Sequence, residues 1–418
     1  MYSTDEKSGF YAALLFVVWP LLALISAFRN YKSSWGKNIL WAFVAFYGFS
    51  FAIGIENSNS DIVRYVAKVH NLYGTSMTLS DFYHYFLNSG ELDILQSLIA
   101  FFVSRFTDMQ AILTLVYGII FGFFFSRNVW YVLEHLKGRI KPINVLLISC
   151  FFLVIPIWNL NGFRFWTASH IFIYGILPFL FEGKKKGLFI SMSSILVHFA
   201  FIVPVIVLMG YLLLGNRLII YFAFFLTTFF ISQINVTVFN QVIGNYTPEV
   251  LQERTSSYRS ENKVKEFRTA PEKNRNWYVV WYGKVLDWSV MGFLVILFLK
   301  GRTFFTKNKK WLSLFSFTLL FYGVANLFSS LPSGGRYGSI AQILALALIM
   351  LYIQNREQKS VMERFIWAAT PALLLFIVVA ARSGLYSISA TTLLGNPFTA
   401  IFLMGKNISL NDVMRMFL

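Results

Sequence analysis

Apolar tracts separated by short polar turns run the length of the chain. They fall at Phe10–Phe28, Ile39–Ile55, Ile94–Phe106, Ala111–Phe125 and Ile143–Trp158, then at Phe163–Phe181 and the long stretch Leu188–Ile234. Val279–Leu299, Trp311–Phe328, Ile340–Ile353 and Phe365–Ala381 follow, with a weaker tract near Phe398–Met404. A helix needs about 20 mostly apolar residues to span the hydrocarbon core of a bilayer. The pattern therefore predicts an all-α polytopic membrane protein with about 10–12 transmembrane or membrane-embedded helices, forming a single membrane domain over residues 1–418. Met1–Gly9 is polar and the tract from Phe10 is long enough to stay as a span, so no cleavable signal peptide is read here.

Two tracts break the regular alternation. Ile94–Phe106 makes only about 20 Å of helix, too short for a core of about 30 Å unless it dips in and returns. Leu188–Ile234 needs a break near His198–Pro204 or Gly215–Asn216 to keep the loops on their proper sides. Half-depth or irregular helices survive in a membrane only when buried in protein or lining a watery cavity. Both anomalies lie beside polar residues, and both point to a site.

Composition agrees with this class. Of 418 residues 57% are hydrophobic and 13% charged, whereas a soluble domain carries about 25% charged residues. The formal net charge of +17 is in large part topological, because short cytoplasmic loops concentrate Lys and Arg. Arg29–Lys37, Arg127–Lys141, Gly183–Lys186, Lys300–Lys310 and Arg356–Arg364 are such loops. The opposite, extracytoplasmic face then holds an amphipathic segment at 56–91, Asn159–Arg164, a charged loop at 235–278 and Ser329–Gly338. The single cysteine, Cys150, excludes an internal disulfide and a cysteine metal cluster. No GxxxxGK[ST], HExxH, CxxC or GxSxG occurs, which counts against an ATP-driven pump, a zinc protease and a serine hydrolase.

Several polar residues on the outer face carry candidate chemistry. Asp61 and Tyr65 are four apart, on one face of an amphipathic helix that also holds Arg64, Lys68 and His70. Glu91 opens the short apolar helix, where an acid also suits the helix dipole. Arg164, three residues after Asn161, stands where an apolar helix meets the outer surface, as a snorkelling anchor or a ligand contact. Arg336 follows Gly334-Gly335 on the same face, and a guanidinium behind glycines that admit a ligand suits a phosphate or pyrophosphate. His198 is expected about eleven residues into an apolar helix, where ionisable groups are functional candidates. Arg254, Arg259 and Arg268 lie in the 235–278 loop and run against the usual charge bias, which favours an anionic partner.

In this order the features resemble the Wzy-type polysaccharide polymerases, in particular the EpsG-like branch. The resemblance covers the first half of the chain: Asp61 and Tyr65 after the second tract, Glu91, Asn161 with Arg164 and Ala168, the basic turn Lys184–Lys186, and His198. The second half matches loosely, through Arg336. The chain departs from the family at Phe165, where Gln is usual, and at His198-Phe199-Ala200, where His-x-Ser is usual.

The resemblance implies a bacterial inner-membrane glycosyltransferase with the GT-C-like architecture of lipid-sugar-dependent enzymes, facing the periplasm or exterior. It would polymerise undecaprenyl-pyrophosphate-linked oligosaccharide repeat units, which serve as both donor and acceptor. An O-antigen ligase and a lipid-linked oligosaccharide flippase or transporter are the rival readings. Arg164 and Arg336, helped by Arg254, Arg259 or Arg268, would bind the pyrophosphate, with Tyr65 and Asn161 as substrate contacts. Glu91, Asp61 and His198 are the candidate bases. No cofactor or metal is expected, since arginines would take the place of a metal. A chain-length regulator and membrane lipid are the further partners, and nucleic acid is not one.

Overall fold

A computed structural model describes residues 4–53, 60–231, 276–329, 331, 333–355 and 361–417. Among these the chain is helical, with no strand and one isolated antiparallel bridge between Ser389 and Ser409. Five tracts are long and apolar enough to cross a membrane: Gln110–Glu134, Pro142–Glu182, Trp277–Thr306, Lys309–Phe328 and Arg336–Gln354. The second is two helices, Pro142–Val154 and Phe163–Glu182, flanking a 3-10 turn at Ile157–Gly162. Val361–Ala368 and Thr370–Gly384 make a further pair, bent by 54°. Shorter apolar helices fill the remainder, among them Pro20–Arg29, Ile94–Ser104, Lys186–Val197 and Leu218–Ile231. Helices satisfy their own backbone groups, which lipid cannot do. The protein is an all-α, multi-pass membrane protein.

The helix breaks have local causes. The tract Phe10–Phe28 is two helices, Thr4–Val18 and Pro20–Arg29, because Pro20 drives Trp19 into extended backbone. The long tract after Leu188 breaks at both expected places: His198 is extended, and Gly215 takes a positive φ of 68°. Gly183, also left-handed, closes the Phe163–Glu182 helix and turns the chain through Lys184 into the next one. The expected loop Lys300–Lys310 is mostly helix, since Trp277–Thr306 runs through it to a turn at Lys307–Asn308. The weak tract near Phe398 is only the six-residue helix Pro397–Phe402.

Glycines let backbones meet where the bundle is tightest. A methyl group on Gly48 would strike the Thr114 carbonyl, and one on Gly118 the Val44 carbonyl, so Gly36–Phe49 lies directly on Gln110–Glu134. Gly175 and Gly187 face each other's carbonyls between the next two helices, where the Ser191 hydroxyl donates to Phe172 O at 3.0 Å. Small residues at such contacts suit a solvent that offers helices no hydrophobic drive to associate. Arg336–Gln354 is buried almost all round from Ile340 to Ile353 and forms the centre of the bundle.

Polar contacts gather at the two ends. At one, Lys141 pairs with Glu363 at 3.0 Å and His135 with Glu182 at 3.3 Å. At the other lie the starts of the Phe163 and Arg336 helices, the break at His198 and the helix Asp61–Leu72.

Candidate functional site

The site begins with how Asp61–Leu72 is seated. Its buried stripe Ile62, Tyr65, Val69 and Leu72 packs on Ile94–Ser104. Its start is tied down where Ile62 N–H donates to Asn161 Oδ1 at 3.3 Å. At its end Arg105 donates to the Leu72 carbonyl of the last turn and to the Thr75 and Met77 carbonyls of the segment that follows. Tyr65 also meets the edge of Tyr117, which stacks on Phe163 at 4.0 Å. The Tyr65 hydroxyl is thereby aimed at the first turn of the Phe163–Glu182 helix.

There Arg164 donates from Nε to the Tyr65 hydroxyl at 2.8 Å and from Nη1 to Asp93 Oδ2 at 2.8 Å. The other oxygen of Asp93 accepts the Phe199 N–H at 2.9 Å and meets His198 Nδ1 at 3.1 Å. The break at His198 leaves the next helical segment with unpaired N–H groups, and the carboxylate caps one of them from another part of the chain. Asp93 is 4% exposed. Burial pushes its carboxyl up, but the hydrogen bond to His198 and the charges of His198 and Arg164 outweigh burial and hold it below the usual carboxylate range.

A second carboxylate lies alongside. Glu91 is bound by Lys68 and by the Ser97 hydroxyl. Burial raises its pKa, but these two partners outweigh it, so the group is held below its ordinary value.

A cavity of about 510 Å³ opens beside this network, lined by Asp61, Asn161 and Arg336 with Trp158, Trp166 and Tyr386 in its walls. Asp61 is paired only with Arg64 among the described residues, and Arg64 is itself largely exposed. Arg336 lies over the Phe165 ring at 5.5 Å and makes no ion pair among the described residues. Its positive charge lines the same cavity as the Asp61 carboxylate.

No family model, curated protein or solved structure matches this chain.

The structure brings Asp61, Tyr65, Glu91, Asn161, Arg164, His198 and Arg336 to one end of the bundle, and it corrects several of their expected settings. Glu91 does not open the short helix. Asp93 is its N-cap residue, and Glu91 sits two positions earlier, held by Lys68. His198 is not deep within a helix but follows the last turn of Lys186–Val197 in extended backbone, at the same end as Arg164. Arg164 does not line the cavity, and its Nε and Nη1 are engaged by Tyr65 and Asp93. Only half of the glycine pair before Arg336 is open: Gly334 abuts the Phe328 carbonyl, while Gly335 has free space. Arg254, Arg259 and Arg268, with the 235–275 part of their loop, lie outside the described residues. Among the described residues no three of His, Cys, Asp and Glu converge as metal ligands.

Sequence reasoning missed Asp93, the residue that joins Arg164 to His198. Its signal was an acid directly ahead of an apolar helix too short to span, masked by Glu91 two residues before it.

Proposed function

We propose that the protein is a glycosyltransferase that polymerises undecaprenyl-pyrophosphate-linked oligosaccharide repeat units at the outer face of a bacterial inner membrane, on a GT-C-like helical architecture. The observation that carries this reading is the cavity in which the Arg336 guanidinium and the Asp61 carboxylate open onto one space between tryptophan walls. A cation and a base facing one cavity are what transfer from a sugar pyrophosphate requires. The bond from the anomeric carbon to the phosphate oxygen breaks, and Arg336 stabilises the negative charge growing on the departing pyrophosphate. The acceptor hydroxyl forms the new glycosidic bond and gives its proton to Asp61.

The geometry ranks the candidate bases. Glu91 is bound by Lys68 and Asp93 by Arg164 and His198, and neither lines the cavity. Of the candidate bases Glu91, Asp61 and His198, Asp61 alone lines the cavity. Arg164 takes a positioning part: with Asp93 it clamps Tyr65 and the His198 break, and so sets the wall from which Asn161 and Asp61 project.

The test is incubation of purified protein with carrier-linked repeat units, read as a ladder on a gel. Wild type gives a ladder. Arg336→Lys, Arg336→Ala and Asp61→Asn reduce the rate about 10²–10³-fold while the protein remains folded, since lysine cannot reproduce the planar fork. No ladder from wild type, or a full ladder from folded Arg336→Ala, overturns the reading.

A further inference from the structure

Behind the tryptophan wall lies a second cavity of about 390 Å³, which shares Trp158, Asn159, Trp166 and Ser383 with the first. Its floor carries Gln342, on the central helix. Gln342 Nε2 donates to Asp287 Oδ1 at 3.2 Å, and the Tyr322 hydroxyl donates to the same oxygen. Asp287 lies within the apolar helix Trp277–Thr306, where an ionisable side chain is costly and calls for a function. Its effect here is on orientation. With the amide nitrogen committed to Asp287, the Gln342 carbonyl is left as the acceptor of that amide.

We infer that this second cavity binds a neutral sugar ring of the glycan substrate, with Gln342 as a hydroxyl contact and Asp287 as the residue that positions it. The inference rests on the reading given under Proposed function. Aromatic walls with a few placed polar groups suit an uncharged ligand that has both apolar faces and hydroxyls. Arg336 lines the first cavity, whereas no Lys or Arg lines the second, so a phosphate has no cationic partner there among the described residues. A prenyl chain in this space would desolvate the Gln342 carbonyl and the Asn159 side chain without offering either a polar partner, which is unfavourable.

The test uses full-length protein in detergent and the repeat-unit oligosaccharide released from its carrier by mild acid, taken from cells lacking this protein. Binding is followed by saturation-transfer NMR and calorimetry. Wild type binds the released glycan, Gln342→Leu binds it about 10-fold more weakly, and Asp287→Leu loses a similar factor. Asp287→Asn, which keeps an acceptor for Gln342, recovers most of it. Folding of each variant is verified by protection of Cys150, which is fully buried. Wild-type affinity in folded Gln342→Leu, or displacement of the glycan by undecaprenol, overturns the inference. Absence of a polymer ladder from wild type defeats the polymerase reading instead, and glycan binding that depends on Gln342 would survive it.

Discussion

Replacing Asp93 is the most searching perturbation of this site. Its carboxylate is 5% exposed and holds Arg164, His198 and the Phe199 N–H together. Removing one partner of a buried ion pair costs about 3–5 kcal/mol, because the other charge stays buried and uncompensated. The Arg164 side chain keeps 35% of its surface exposed, so water relieves part of that loss. Asp93→Ala therefore belongs at the lower end, about 3 kcal/mol. Asp93→Asn keeps an acceptor for the Phe199 N–H, a bond of about 1 kcal/mol, and costs about 2 kcal/mol. Cys150 supplies the assay: a thiol-reactive dye reports the temperature at which the buried side chain becomes accessible. The expected order of midpoints is wild type, then Asn, then Ala. In the ladder assay both variants lose polymer, since the wall carrying Asn161 and Asp61 is no longer held. A wild-type midpoint in Asp93→Ala would refute the view that this carboxylate organises the end of the bundle.

Acid should act through the same groups. Asp93 and Glu91 have depressed folded pKa values, so their contribution is complete above the ordinary carboxylate range and is lost as pH falls through those lower values. Stability to incubation should drop below about pH 4, seen as aggregation on size exclusion, and the drop should be shallower in Asp93→Asn; equal acid sensitivity in both would contradict this. Gly118→Ala should destabilise by about 1–3 kcal/mol, because its methyl group meets the Val44 carbonyl, whereas Gly210→Ala has open space and should not. Matching midpoints for the two glycine variants would show that the close helix approach is not needed. In a Cys150→Ala background, Ser333→Cys should react with an impermeant thiol reagent in intact spheroplasts and Lys185→Cys only after lysis; the reverse pattern would invert the orientation.

The sequence by itself determined the class of the protein and most of its helix ends. Apolar tracts too numerous for a water-soluble fold demanded helices in lipid, and Pro20, Gly183 and Gly215 act on the backbone at their own positions. The same local logic placed Arg164 at a helix start. What only the tertiary structure decided is which side chains meet. Asp93 is 71 residues from Arg164 and 105 from His198, and no short-range period links them. Hydrophobic periodicity marks the buried face of an amphipathic helix, as Ile62, Tyr65, Val69 and Leu72 do in Asp61–Leu72. It is silent for Arg336–Gln354, which is apolar all round. The rotation and depth of that helix are set by close packing with its neighbours. That packing, and not any motif, brings Arg336 to the cavity that Asp61 also lines and turns Gln342 toward Asp287.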